Sequence, residues 1–154
     1  MKKQYWLFKS EPTAYSIDDM KKDKVTYWDG VRNYQARNNM QSMQKGDLAL
    51  FHHSNANPPG IAGFVEICKE AYPDDTAWDP KSRYCFKKSS PENPIWYRVD
   101  VKFVAKFPEV LALGDLKENR KLEGMVLLSK GSRLSVQPVE KKYFEVIRKL
   151  GLKK

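Results

Sequence analysis

Between Trp28 and Asn39 the sequence brings together two aromatic rings, Trp28 and Tyr34, two guanidinium groups, Arg32 and Arg37, and the side-chain amides of Asn33, Gln35, Asn38 and Asn39. A nucleobase is recognised by an aromatic wall against its π-face, by amides, hydroxyls or backbone groups that read its edge, and by Arg or Lys on the adjacent phosphates. This stretch supplies all of those types. The plainer alternative makes Trp28 and Tyr34 core aromatics and the two arginines solvated helix charges. A second group, Lys9-Ser10-Glu11-Pro12, falls at the end of an expected strand and brings an ammonium, a hydroxyl and a carboxylate to one loop. Read plainly, it is a turn whose serine bonds the local backbone. A third, His52-His53-Ser54-Asn55, ends another strand, and adjacent strand residues point to opposite faces, so only one histidine can enter a given pocket. No metal site and no cofactor are expected. Two histidines with no carboxylate or thiol close in sequence make a poor zinc site, and Cys68 and Cys85, without a CxxC, read as buried or half-buried free thiols.

The 154 residues fit one domain, and 28 Lys and Arg against 19 Asp and Glu give a net charge of +9, which favours an anionic partner over a cationic one. Apolar residues at 41% suffice for a packed core. No apolar run approaches the ~18 residues that would span a bilayer, and the short Tyr5-Trp6-Leu7-Phe8 run is no secretory signal, so an intracellular, cytoplasmic protein with no membrane partner is expected. The signatures of nucleotide hydrolysis, dinucleotide redox chemistry, zinc proteolysis and serine esterases are missing from the chain.

Several elements must position these groups. Strands are expected over Gln4–Lys9, Val25–Trp28, Asp47–His53, Gly60–Ala71 and Ile95–Phe107, the last with apolar residues at period two. Ser16-Ile17-Asp18-Asp19 reads as a capping box that starts a helix over Ile17–Lys22, with Ile17 and Met20 inward. Further helices are expected over Val31–Met43, Val110–Lys117, Leu122–Leu128 and Glu140–Leu150, the last ended by Gly151, with a short strand-like run at Arg133–Pro138. The polar stretch Tyr72–Pro94 is long for a connection and is a candidate wall of a site. Together these give a mixed sheet or small barrel flanked by helices.

Trp6-Leu7-Phe8-Lys9-Ser10-Glu11-Pro12, the run from Trp28 to Asn38, His53-Ser54-Asn55, Gly60-Ile61-Ala62-Gly63 and Leu134-Ser135-Val136-Gln137-Pro138 together resemble the EVE domain family, from Tyr5 to about Leu150. The resemblance implies an α+β, PUA-like fold, a small, mostly antiparallel β-barrel flanked by helices, with residues 1–154 as a single EVE domain. It also implies a nucleic-acid-binding reader that turns a modified base of DNA or RNA out of its stack into a cavity at one end of the barrel. Modified cytosines such as 5-methylcytosine or 5-hydroxymethylcytosine would be the ligands. Carried onto this chain, the family's motifs put Lys9 and Ser10 on one rim, and Trp28, Val31, Arg32, Asn33 and Tyr34 on the floor and wall. His53, Ser54 and Asn55 close one side, Arg133, Leu134 and Ser135 the opposite rim, and Arg37 meets phosphate. Either Trp28 or Tyr34 would stack on the base. His52 departs from the aromatic, such as Tyr, expected there, and the few residues before the first strand favour a standalone, bacterial form. Two rival readings share the fold: a hydrolase of a modified nucleoside or base, like the related ASCH group, using Lys9, Ser10, Glu11 and His53, and an RNA-binding module of RNA modification. No protein partner is indicated.

Overall fold

The computed structural model describes residues 3–152 except 29–30, 32, 55, 57, 83–84, 86–89, 91, 93 and 129–133. Its strands are β1 (Tyr5–Ser10), β2 (Val25–Trp28), β3 (Leu48–His53), β4 (Gly60–Pro73), β5 (Tyr97–Ala112) and β6 (Val136–Val139), in one sheet of order β2-β5-β4-β3-β1-β6. Only the β1/β3 pair is parallel. Its helices are α1 (Ile17–Asp23), α2 (Tyr34–Ser42), α3 (Leu113–Lys117) and α4 (Lys141–Leu152), with 3-10 turns at Asp75–Trp78, Arg120–Leu122 and Val126–Leu128.

The α+β class holds, but the expected barrel does not close. β2 and β6 remain the edges of an open sheet, each only four residues long, and no ladder joins them. The sheet is nevertheless strongly curled. Four strand spacings would separate β2 from β1 by roughly 19 Å in a flat sheet, too far for side chains standing off one face to meet. The Trp28 ring at the end of β2 nonetheless lies 4.7 Å from the Phe8 ring of β1. Register shifts along β4 and β5 permit the bend, since each bulge adds local twist. So do Gly60 and Gly63, where a Cβ would run into the carbonyl oxygens of Leu111 and Ala105 on β5.

Alternation along each strand divides the core in two. One cluster holds Trp6, Phe8, Phe51, Val65 and Val101 with Met20 of α1 and Met40 of α2. The other holds Leu7, Leu50, Phe64 and Phe107 with Phe144 and Ile147 of α4. The capping box of α1 forms as expected: the Asp19 amide donates to Ser16 Oγ (3.1 Å) and the Ser16 amide to Asp19 Oδ2 (2.9 Å). Tyr15, just before the cap, reaches over Met20 in the manner of a hydrophobic staple. At the start of β3 the buried carboxylate of Asp47 accepts from the Gln4 amide (3.0 Å), the Trp6 indole (3.0 Å) and the Gln44 amide (2.9 Å).

Three expectations fail for physical reasons. β5 continues to Ala112 instead of yielding to a helix at Val110, because Leu111 and Ala112 pair with Ile61 and Gly60; residues 107–110 fall in a register gap, where the missing N–H of Pro108 loses no ladder bond. The helix expected over Leu122–Leu128 is two single turns, separated where Gly124 takes φ +93°. Gly151 lies inside α4 rather than ending it, and its bare Cα faces the Phe107 ring. Cys68 is half-buried as expected, whereas Cys85 is exposed. Among the described residues no helix is long and apolar enough to cross a membrane.

Candidate nucleic-acid interface

The parallel pairing of β1 with β3 brings their C-terminal ends side by side, Lys9 opposite His52 and Ser10 opposite His53. Two backbone bonds extend the join: the Ser54 amide donates to the Ser10 carbonyl (2.9 Å), and the Lys9 amide to the Ser135 carbonyl (2.9 Å). Lys9, Ser10, His53, Ser54, Leu134 and Ser135 thus gather at one end of the sheet. The Ser10 hydroxyl donates to the Tyr15 carbonyl (2.6 Å), so it shapes the turn into α1 as well as facing the site.

Trp28 joins this end through its ring contacts with Phe8 and Phe51, and Val31 lies in the core cluster against which Trp28 and Leu134 pack. The half-buried Trp28 ring is tilted on Phe8 and meets Phe51 edge-on at 5.5 Å and Tyr15 edge-on at 6.4 Å. Phe51 in turn meets the His53 ring edge-on at 5.7 Å. The indole therefore stands in a ring of aromatic groups that fixes its orientation while leaving part of it exposed. Phe8, Tyr15 and Phe51 were not singled out from sequence, though period two along β1 does place Phe8 on the side of Ser10.

The two histidines behave differently, as their alternation requires. His53 Nε2 accepts from the Ile17 amide at the start of α1 (3.1 Å), which assigns the proton to Nδ1 and leaves no lone pair for a proton in transit. Burial holds its pKa below the usual histidine value, with Lys106 lowering it further and Asp18 opposing. His52 is 3% exposed, and neither of its ring nitrogens has a hydrogen-bond partner. Burial first, then the Lys9 and His53 charges, push its pKa down to about 4, so it is neutral at physiological pH. The Lys9 ammonium is itself lowered by burial. Strand alternation separates His52 from His53, but nothing in the sequence marks it as a buried imidazole without partners. Among the described residues no group of three or more His, Cys, Asp or Glu side chains could hold a metal ion.

Asn33, Tyr34 and Arg37 form a separate group. The Asn33 side chain caps α2 by accepting from the Ala36 amide (2.9 Å), which occupies the oxygen expected to read a base edge. Tyr34 is exposed and packs on Trp96 with ring centroids 4.9 Å apart. Arg37 lies beside both rings and donates to the Ile95 carbonyl (3.2 Å) and to Asn38 Oδ1 from Nε (3.2 Å) and Nη2 (2.9 Å). Arg32, Asn55 and Arg133 lie outside the described residues.

A curled, mostly antiparallel sheet with helices on both sides and a site of aromatic and short polar side chains at its strand ends defines a small mixed α+β binding module. Residues 4–150 match the EVE domain, and the chain belongs to that family. It is 39% identical over 165 residues to human thymocyte nuclear protein 1, covering 95% of this chain and 73% of the human one. The crystal structure of the human protein in complex with DNA containing 5-methylcytosine superimposes with a TM-score of 0.91 at 39% identity, covering 98% of this chain and 99% of that one. A Pseudomonas syringae protein superimposes with a TM-score of 0.92 at 49% identity, covering 96% and 99%. Relatives thus come from an animal and a bacterium alike, and the expected bacterial origin is not singled out.

Proposed function

We propose that this protein is a non-catalytic reader that holds a modified base of a nucleic acid, a modified cytosine in the first instance, against Trp28 at the open end of the sheet. The observation that carries this reading is the half-buried indole, oriented by Phe8, Phe51 and Tyr15, with Tyr15 tied by its carbonyl to the Ser10 hydroxyl at the end of β1. The 5-methylcytosine DNA bound by the human relative supports the ligand class, and the +9 charge supports a polyanion. Base flipping follows from the setting, because a ring stacked inside a duplex cannot reach a partly enclosed indole. The hydrolytic alternative loses weight because the one histidine facing the site already accepts a backbone bond, and Glu11 is exposed.

The test is binding of the purified protein to DNA and RNA oligonucleotides carrying cytosine, 5-methylcytosine or 5-hydroxymethylcytosine, with Trp28→Ala in parallel. The expected result is a preference of roughly 10–200-fold for a modified base, the range one added carbon can provide, abolished in the variant. A preference for RNA over DNA with the same base would favour the RNA-module reading through contacts to the 2′-hydroxyl. Equal binding to every strand, falling steeply with salt and unchanged in Trp28→Ala, would overturn the reader assignment.

A further inference from the structure

The two aromatic side chains expected to compete for one role occupy different settings. Trp28 is walled by other rings, whereas Tyr34 is 55% exposed at the start of α2 and rests on Trp96, which is 1% exposed. We propose that Tyr34, backed by Trp96 and steadied by Arg37, is a stacking platform for a nucleotide that flanks the one held at Trp28. The proposal rests on the nucleic-acid reading above and assigns Tyr34 a contact separate from the base site.

Among the described residues, geometry leaves one face of the tyrosine open. Were the ring sandwiched between Trp96 and Arg37, those two would stand about twice as far from each other as either stands from Tyr34. Instead Arg37 lies 5.0 Å from the Tyr34 centroid and 6.0 Å from that of Trp96, so the two groups do not lie on opposite faces of the ring. The ring is also held before any ligand arrives. Trp96 is fixed in the core, and Arg37 is tied to the Ile95 carbonyl and to Asn38, so stacking on Tyr34 orders little that is not already ordered.

Charge favours a nucleic acid over an apolar peptide as the occupant. From Val31 to Gly46 the chain contains no Asp or Glu, while it carries Arg32, Arg37 and Lys45. On the Trp96 side Asp74 is fully buried and accepts from the Thr76 amide (3.0 Å) and hydroxyl (2.5 Å), and the charge of the exposed Asp75 is paired with Arg98 (3.2 Å). A guanidinium beside an exposed aromatic face, with no exposed carboxylate on its own helix turn, suits a base with its phosphates. The spacing fits as well. Trp96 precedes by three residues Val99, the β5 residue paired with Trp28. Three extended residues span about 10 Å, a separation that about three stacked nucleotide steps of 3.4 Å each would cover.

The experiment uses two heptanucleotides, each with a central 5-methylcytosine, one with ordinary flanking nucleotides and one with abasic spacers in their place. Phosphate number is identical, so only flanking bases differ. The wild type is expected to bind the first roughly 5- to 100-fold more tightly, the range reported by alanine substitution for one stacked base. Tyr34→Ala should bind both equally, at the weaker level, Tyr34→Phe should retain the difference, and Trp28→Ala should lose both ligands. Equal binding of the two strands by the wild type, or an undiminished difference in Tyr34→Ala, would overturn the platform and leave the reader intact. Loss of both strands in Tyr34→Ala with the protein folded would place Tyr34 in the base site and likewise overturn it. If the wild type binds neither strand, the reader assignment falls together with the platform.

Discussion

Strand β3 has a buried ionisable group near each end, and the two are treated in opposite ways. Asp47, just before the strand and 2% exposed, accepts three hydrogen bonds that bind Gln4, Trp6 and Gln44 to one carboxylate. His52, next to last in the strand and 3% exposed, has both nitrogens without a partner. A buried polar group with all its bonds made specifies a structure, and one with none weakens it by roughly 1–3 kcal/mol per unmet group. The first end of the strand is therefore scaffold. The second end, where Lys9, Ser10, His53, Ser54 and Ser135 meet, tolerates a local deficit, as sites that must receive a ligand commonly do.

The largest expected effect breaks the scaffold end. Asp47→Ala leaves two backbone amides and an indole N–H unmet, and should lower stability in urea denaturation by about 3–5 kcal/mol. A loss below about 1 kcal/mol would mean that the carboxylate is not the tie described. Acid comes next. Because the folded pKa of His52, about 4, lies below the ordinary 6.5, the unfolded chain binds the extra proton between those values. Stability from this group is complete above pH 6.5 and falls as the pH drops toward 4, by up to about 3 kcal/mol. His53, shifted in the same direction, adds to the slope. Denaturation midpoints measured from pH 7.5 to 4 should show this decline, and His52→Leu should flatten most of it. At pH 7.5 the same substitution removes an unmet polar group, and should leave stability unchanged or raise it by about 1–2 kcal/mol. A marked loss there would show that the imidazole does contribute to the fold. The smallest effect is that of Ser10→Ala, which removes the bond to the Tyr15 carbonyl and should cost about 0.5–1.5 kcal/mol, with the backbone bond from Ser54 untouched.

What could be read from sequence was what depends on near neighbours. The period-two pattern of β1 and the Ser16–Asp19 capping box gave their elements to within a residue or two. What escaped depended on distant partners. The far end of β5 is a strand because Gly60 and Ile61, some fifty residues earlier, offer it a ladder. Trp28 and Tyr34, six residues apart in sequence, looked like two walls of one pocket. The chain turns into α2 at Asn33, whose side chain becomes its cap, and the two rings part. Trp96 had no local mark at all, since its role depends on Tyr34 coming to rest on it.

The gap between β2 and β1 is spanned by Trp28 lying against Phe8, with no backbone ladder between the two strands. A wall stitched by peptide hydrogen bonds opens only when those bonds break together. A wall made of side chains yields one torsion at a time, each with a modest barrier and a soft contact energy. On the proposed reading, the width of the base site would be set by rotamers, on a frame whose strands need not move. If the proposed reader assignment holds, a flat ring slightly larger or smaller than cytosine would meet the same frame and a different arrangement of side chains, and related modifications would be sorted by how well the rings close around them.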